Sequence, residues 1–460
     1  MKNACSKMRN LQVLLLFCLL KWREHITIVT GKEYSVGKTV VNVDTFGAFG
    51  DSVTDDTNVR FSYLITPLTM RLAFQAFSRA WNVSCGMGNA ILLVPEGRRY
   101  LVNATKFVGP CVDKMVMQID GMIVAPGETE NGGTSWLYFF KVDNLVVQGN
   151  GVIDGSGRNW WTSSCKRNKT NPCRVAPSAM VIDSSSNIKV NGITIQNSAQ
   201  MHIVLHRCSS ARISKVRISS PGDSPNTDGI HVSTSSNVVL KDSKIAAGDD
   251  CVSIVSGSFN IKMKRLYCGP GHGISIGSLG KNNSTDSVSN VVVDTAYIKN
   301  ASNGLRIKTW QGGNGFVRAV RFENVRMENV SNPIIIDQFY CDSPISCKNQ
   351  TDAVKISQVM YRNISGTSRS SAAIKFACSD TVPCSNIYLA DIDLEKEDGE
   401  AVTYCNSAQG YGYGVVRPSV DCLYMNFTVE AEESTHSCAQ RPDLIRVLDE
   451  TVGNIIHSEL

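Results

Sequence analysis

From about residue 140 onward, Ile and Val alternate with polar residues in short runs that end at Asn, Gly or Ser. The runs recur. "SNIKVNGITIQNS" begins at Ser186, "SARISKVRISSP" at Ser210, "SNVVLKDSKIAAG" at Ser236 and "FNIKMKRLYCG" at Phe259. "SNVVVDTAYIKN" from Ser289, "RAVRFENVRMEN" from Arg318, "DAVKISQVMYRN" from Asp352 and "SNIYLADIDLEK" from Ser385 continue the series, with starts 23 to 34 residues apart. Alternation with period two is strand periodicity, and helical spacing is nearly absent over the same stretch. Strands this short cannot bury an apolar face alone, but stacked coils share one core. The pattern therefore predicts an all-β chain wound as a parallel β-helix solenoid, right-handed because parallel crossovers favour that hand. The alternatives are a β-sandwich and a propeller, whose blades run longer, at roughly 40 to 50 residues. Only "LAFQAFSRAWNVSC", Leu72 to Cys85, has helical apolar spacing. It is expected to cap the N-terminal end of the solenoid, where strand edges must be covered.

The first twenty residues, "MKNACSKMRNLQVLLLFCLL", run from a basic start into an apolar stretch of signal-peptide length, too short to span a bilayer. The predicted organisation is a leader over 1–25, a solenoid over 40–430 and a C-terminal tail over 431–460. Cysteine usage fits an exported chain. Removing Cys5 and Cys18 with the leader leaves fourteen, and several lie close together: Cys165 and Cys173, Cys251 and Cys268, Cys341 and Cys347, Cys378 and Cys384. Such spacing reads as disulfide-closed loops. Asn-x-Ser/Thr acceptors recur from Asn82 to Asn426, which fits an extracellular glycoprotein surface. The net charge of +5 is mildly basic and suits an anionic partner. No Lys/Arg-rich run supports a nucleic-acid partner, and no second stretch is apolar and long enough to cross a membrane.

Three charged motifs fall about one repeat apart. "SPNTDGIHV" places Asp228, "AAGDDCVSI" places Asp249 and Asp250, and "GPGHGISIG" places His272. Equivalent positions on successive coils stack about 4.8 Å apart, so these groups should line one face over roughly 10 Å. "NGLRIKTWQGG" adds Arg306 and Lys308, two apart on one strand and so on the same side. Strict alternation would send Asp249 and Asp250 to opposite faces. A kink at Gly248 is needed for both to act together. The bland alternative is an ion-pair ladder in which Arg306 and Lys308 merely neutralise the acids. The chemical reading is glycoside hydrolysis, with one carboxylic acid protonating the leaving oxygen and a carboxylate activating water. Crowding keeps one acid protonated, and the cations suit a substrate that carries its own carboxylates.

These residues resemble the polygalacturonases, pectin-cutting glycoside hydrolases of the right-handed β-helix class. The resemblance rests on Asn226-Thr227-Asp228, Gly248-Asp249-Asp250, Gly271-His272-Gly273 and Arg306-Ile307-Lys308, in family order, and extends over roughly residues 40 to 430. "PIIIDQFYCD" is similar to plant members. The resemblance implies inverting hydrolysis of α-1,4 galacturonosyl bonds, with endo action favoured over exo. It implies Asp249 as general acid, Asp228 and Asp250 as the residues that hold and activate water, and His272 as a residue tuning the acid. Arg306 and Lys308 would bind the substrate carboxylate, Tyr340 would touch a sugar, and Asn226 would contact substrate or only form a turn. It implies no metal or cofactor, a pectin or homogalacturonan partner, a monomer, and a place in the extracellular cell wall. The competing functions are a pectate lyase, a rhamnogalacturonan hydrolase and a catalytically inactive pectin-binding wall protein. One departure stands out. After "TDDT" the family passes almost directly into its helix, whereas here "NVRFSYLITPLTMRL", Asn58 to Leu72, intervenes. We read it as retained intron sequence, against a lineage-specific loop; a transcript carrying these codons uniformly would sink that reading.

Overall fold

Within strands of the repeat the chain turns at a single residue, and those corner residues adopt left-handed backbone conformations. Asn187, Asn237, Asn260, Asn290 and Asn386 have φ between 54° and 58°, a region that Asn enters more readily than most residues. Each is the second residue of a repeat. Their side chains stack as a ladder along the molecule: Asn260 Nδ2 donates to Asn237 Oδ1 at 3.1 Å, and Asn290 Nδ2 to Asn260 Oδ1 at 2.8 Å. The corner sequence thus fixes both the bend and its alignment with the next coil.

The computed structural model describes residues 38–57, 76–127, 133–343 and 345–423. The expected leader, the segment Asn58–Leu72 and the tail 431–460 lie outside the described residues. Just after the corners, one buried row runs Ile188, Ala211, Val238, Ile261, Val291, Val320, Val359, Ile387, each paired in parallel with the next. All eight are at most 2% exposed. The repeat therefore forms a parallel β-helix with a continuous aliphatic core. The register corrects two expected starts. Ser209, not Ser210, aligns with Ser186 and Ser236. Ser357 aligns with Arg318 and Ser385, five residues beyond Asp352. The second slip arose because "DAVKI" alternates like a repeat but ends a long connection, the one closed by the Cys341–Cys347 disulfide.

One sheet carries the rows above. The other has eleven strands, one per coil, from Thr105–Val108 to Val402–Asn406. Its inner face joins the core and its outer face floors a cleft. At the N-terminal end lies the expected helix, Ala76–Gly86 among the described residues. It buries Phe77, Ala80 and Trp81 on one stripe. Trp81 packs against Phe107 and Phe139 and donates from Nε1 to Val108 O at 3.1 Å. A Cys85–Cys111 disulfide pins the helix down. The four expected close cysteine pairs all form, joined by Cys405–Cys422. Cys208 is buried and unpaired among the described residues.

Candidate active site

The acids enter the cleft on loops that lead into successive strands of the eleven-stranded sheet. Asn226 turns the first loop in the left-handed region, with φ 55°. Thr227 is buried and acts as a pin: its hydroxyl donates to Ser224 O at 3.0 Å and accepts from Gly248 N at 2.9 Å. That contact draws the next loop close. A Cβ on Gly248 would stand 1.9 Å from Ser224 O, so only glycine fits. The chain bends at Gly248 and Asp249 before the strand Val252–Ile254 begins. The bend is the kink that the adjacent acids require. The Cys251–Cys268 disulfide anchors the residue after Asp250.

Below the loops, the sheet presents a row of outward residues in register: His231, Ser253, Ser275 and Arg306. Asp250 is buried against this row. Its Oδ1 pairs with Arg306 Nη2 at 2.6 Å and accepts from Ser275 Oγ at 2.7 Å, and its Oδ2 pairs with Lys308 Nζ at 2.9 Å. Burial raises its pKa, but the Lys308 and Arg306 charges and the bonds from Lys308 and Ser275 outweigh this and hold it below the usual carboxylate range. Asp228 is also buried, and its Oδ2 accepts from Ser253 Oγ at 2.7 Å. No cation touches it there. Burial, then the charges of Asp249 and Asp250, push its pKa well above the usual range. Asp249 is more open. It takes His272 Nδ1 at 2.8 Å on Oδ1 and Asn226 Nδ2 at 3.2 Å on Oδ2. Asn226 is thus a turn former and a contact of the central acid at once.

The structure brings all eight predicted residues to this cleft. Arg306 and Lys308 do share one face, but they pair with Asp250, so the ion-pair ladder is realised for that acid, while Asp228 has no ion pair among the described residues and feels Lys308 only at a distance. Tyr340 stands on the opposite wall. Its ring lies 5.3 Å from Lys308 Nζ and edge-on to Trp310 at 5.5 Å. Burial, then Asp342, pushes its hydroxyl up to about 12. Ligand atoms of Asp249, Asp250 and His272 lie within 4.8 Å of one another. They make a poor cation cage, because Asp250 already faces two resident cations.

Two residues of consequence escaped the sequence reading. His231 Nδ1 lies 2.7 Å from Ser253 Oγ, which in turn donates to Asp228. Burial drives the His231 pKa down to about 4. The ring is therefore neutral near pH 7, and with Nδ1 protonated it orients the serine hydroxyl toward the acid. The signal was present in "DGIHV": with Ile230 and Val232 in the core, His231 must face outward. Beyond His231 the floor continues as a groove of about 760 Å³ lined by His206, Asp183 and Tyr138. There Arg207 forks onto both oxygens of Asp183 at 3.0 and 2.7 Å.

Residues 85–416 match the sequence profile described as Glycosyl hydrolases family 28. The chain is 44% identical over 367 residues to polygalacturonase-2 of Solanum lycopersicum, covering 79% of this chain and 77% of that one. It is 41% identical over 426 residues to a polygalacturonase of Juniperus ashei, covering 91% and 80%. In fold it is similar to the endo-xylogalacturonan hydrolase from Aspergillus tubingensis, with TM-score 0.67 and 23% identity over 83% of this chain and all of that one. A solenoid of this topology, a cluster of carboxylates on its outer sheet and kinship with these plant enzymes over most of the chain lead to one conclusion: the chain belongs to glycosyl hydrolases family 28.

Proposed function

We propose that the chain is a polygalacturonase that hydrolyses α-1,4-linked galacturonic acid bonds of homogalacturonan, with inversion and from within the polymer. The observation that carries this reading is the uneven environment of three neighbouring carboxylates. Asp250 is locked in its charged form by two cations, Asp228 is pushed toward its neutral form, and Asp249 lies between His272 and Asn226. Unequal proton affinity within one cluster is what an acid and a base need to act together. In this reading Asp249 protonates the leaving oxygen, while Asp228 and Asp250 hold the water that attacks from the other side of the sugar. His272 fixes the orientation of Asp249 and tunes it. Arg306 and Lys308 hold Asp250 and receive the galacturonate carboxylate with the donors left over. Tyr340 supplies a face for a sugar. The groove that continues past His231 supports endo action, because a chain can lie along the floor on that side of the acids. The six disulfides among the described residues support an extracellular place of work, in the cell wall.

The test is reducing-end release from de-esterified homogalacturonan with a chelator present, while viscosity is followed. Release that survives chelation, with an early viscosity drop, is expected. Folded protein that releases nothing would overturn the reading, and slow viscosity loss would overturn endo action. Asp249→Asn should lower kcat by about 10²- to 10⁴-fold while polymer binding persists.

A further inference from the structure

The segment between the short helix Arg158–Thr162 and the strand Ser178–Asp183 carries two consecutive cations that reach opposite walls of the cleft. Its base is fixed. Trp160 and Trp161 pack on Ala199, Trp161 Nε1 donates to Ser198 O at 3.0 Å, and Cys165–Cys173 closes the loop. From this base Arg167 Nη2 pairs with Asp223 Oδ2 at 2.5 Å. Asp223 lies in the loop that enters the strand Ile230–Ser233, on the wall of Asn226. Lys166 Nζ pairs with Asp342, at 2.5 and 2.6 Å from its two oxygens. Asp342 follows the strand Asn332–Asp337, on the wall of Tyr340. Loops entering a strand and loops leaving it lie at opposite sides of a sheet, and the inner face here is filled by core. A connection between the two walls therefore passes over the outer face. Its anchors lie in the coil of Asp228 and in the coil of Tyr340, which flank the coils of Asp249 and His272.

Both pairs are exposed, with side chains 45% to 67% accessible. Exposed pairs of this kind hold weakly and are screened by salt. The partners are also exchangeable. Asp223 and Asp342 present carboxylates to Lys166 and Arg167, and so would each residue of a polyanionic substrate lying in the cleft beneath. Swapping one carboxylate for another conserves charge pairing and returns the two aspartates to water.

We propose that Lys166 and Arg167 form a strap across the cleft that binds substrate carboxylates, held in place by Asp342 and Asp223 and released from them by the incoming polymer. The inference rests on the polygalacturonase reading, since it requires an anionic chain. The walls' aspartates then act as competitors of the substrate, which yields effects of opposite sign. Steady-state kinetics on de-esterified homogalacturonan would compare two double variants of the full chain. Lys166→Ala with Arg167→Ala removes the cations and should raise KM by about three- to tenfold. Asp223→Ala with Asp342→Ala frees the same cations and should lower KM by about twofold or more. In both, kcat should stay within about twofold, because rim charges act on binding rather than on the reacting bond. A misfolded loop cannot produce opposite shifts. If both doubles move KM in the same direction, or neither moves it, the strap is only structural and the inference fails. Wild-type protein that does not cut homogalacturonan would instead sink the hydrolase reading, and the strap's substrate with it.

Discussion

At the scale of single residues, the chemistry depends on which of the neighbouring acids holds the proton. The productive form in our reading has the proton on Asp249 and a charged Asp228. Burial of Asp228 beside two other acids favours its neutral form instead. Ser253 counteracts this by donating to Asp228, and His231 orients that hydroxyl. Ser253→Ala should therefore raise the proton affinity of Asp228 further. Losing a hydrogen bond to a charged group costs about 1.5 kcal/mol, or about one pH unit. We expect a lower maximal rate and an alkaline limb of the kcat/KM profile moved upward by up to that amount. A profile that keeps its shape would show that Ser253 is only packing. A second residue tests the core. Tyr361 is fully buried, stacked on Phe322 at 5.2 Å, and its hydroxyl has no hydrogen-bond partner among the described residues. Tyr361→Phe removes an unsatisfied polar group and should stabilise the protein by about 1 kcal/mol, read as a higher melting temperature. A lower one would mean that the hydroxyl has a partner after all.

Among the elements, the loops of the acids are positioned by cross-links rather than by strand length. The strand after Asp250 has only three residues, yet Asp250 must hold two cations in place. Cys251–Cys268 closes a loop of sequence separation 17 right beside it. The double replacement Cys251→Ser, Cys268→Ser should cost about 3 kcal/mol by loop entropy and reduce activity beyond the fraction unfolded. Activity that simply tracks the folded fraction would show that the bridge serves stability alone. The same elements show what could be read in advance. Corners and core rows were legible because Asn at a turn and Ile or Val inside are local signals; the motifs of Asp228, Asp249/Asp250 and His272 were legible because each precedes a strand, and Arg306 and Lys308 because they alternate within one. The start at Asp352 was misplaced because connection length is invisible when the connection itself alternates. His231 carries no such mark, since it reaches Asp228 only through Ser253 on the next coil. The targets of Arg306 and Lys308 were not legible, since Asp250 lies more than fifty positions away in sequence and only the winding of the coils brings them together.

Over the whole molecule, the solenoid is built by addition. Each strand of the rows described above pairs with the coil before it and the coil after it. The six disulfides among the described residues span separations of only 6 to 26 residues. A chain leaving the ribosome can therefore finish each coil on the template of the previous one, and close its bridges, long before synthesis ends. Order of translation becomes order of assembly, beginning at the helical cap. The strap breaks this rule, for Lys166 and Asp342 stand 176 positions apart. The floor of the cleft, with Asp228, Asp249, Asp250 and His272, is laid down first, and its cover arrives only when the ribosome has passed residue 342.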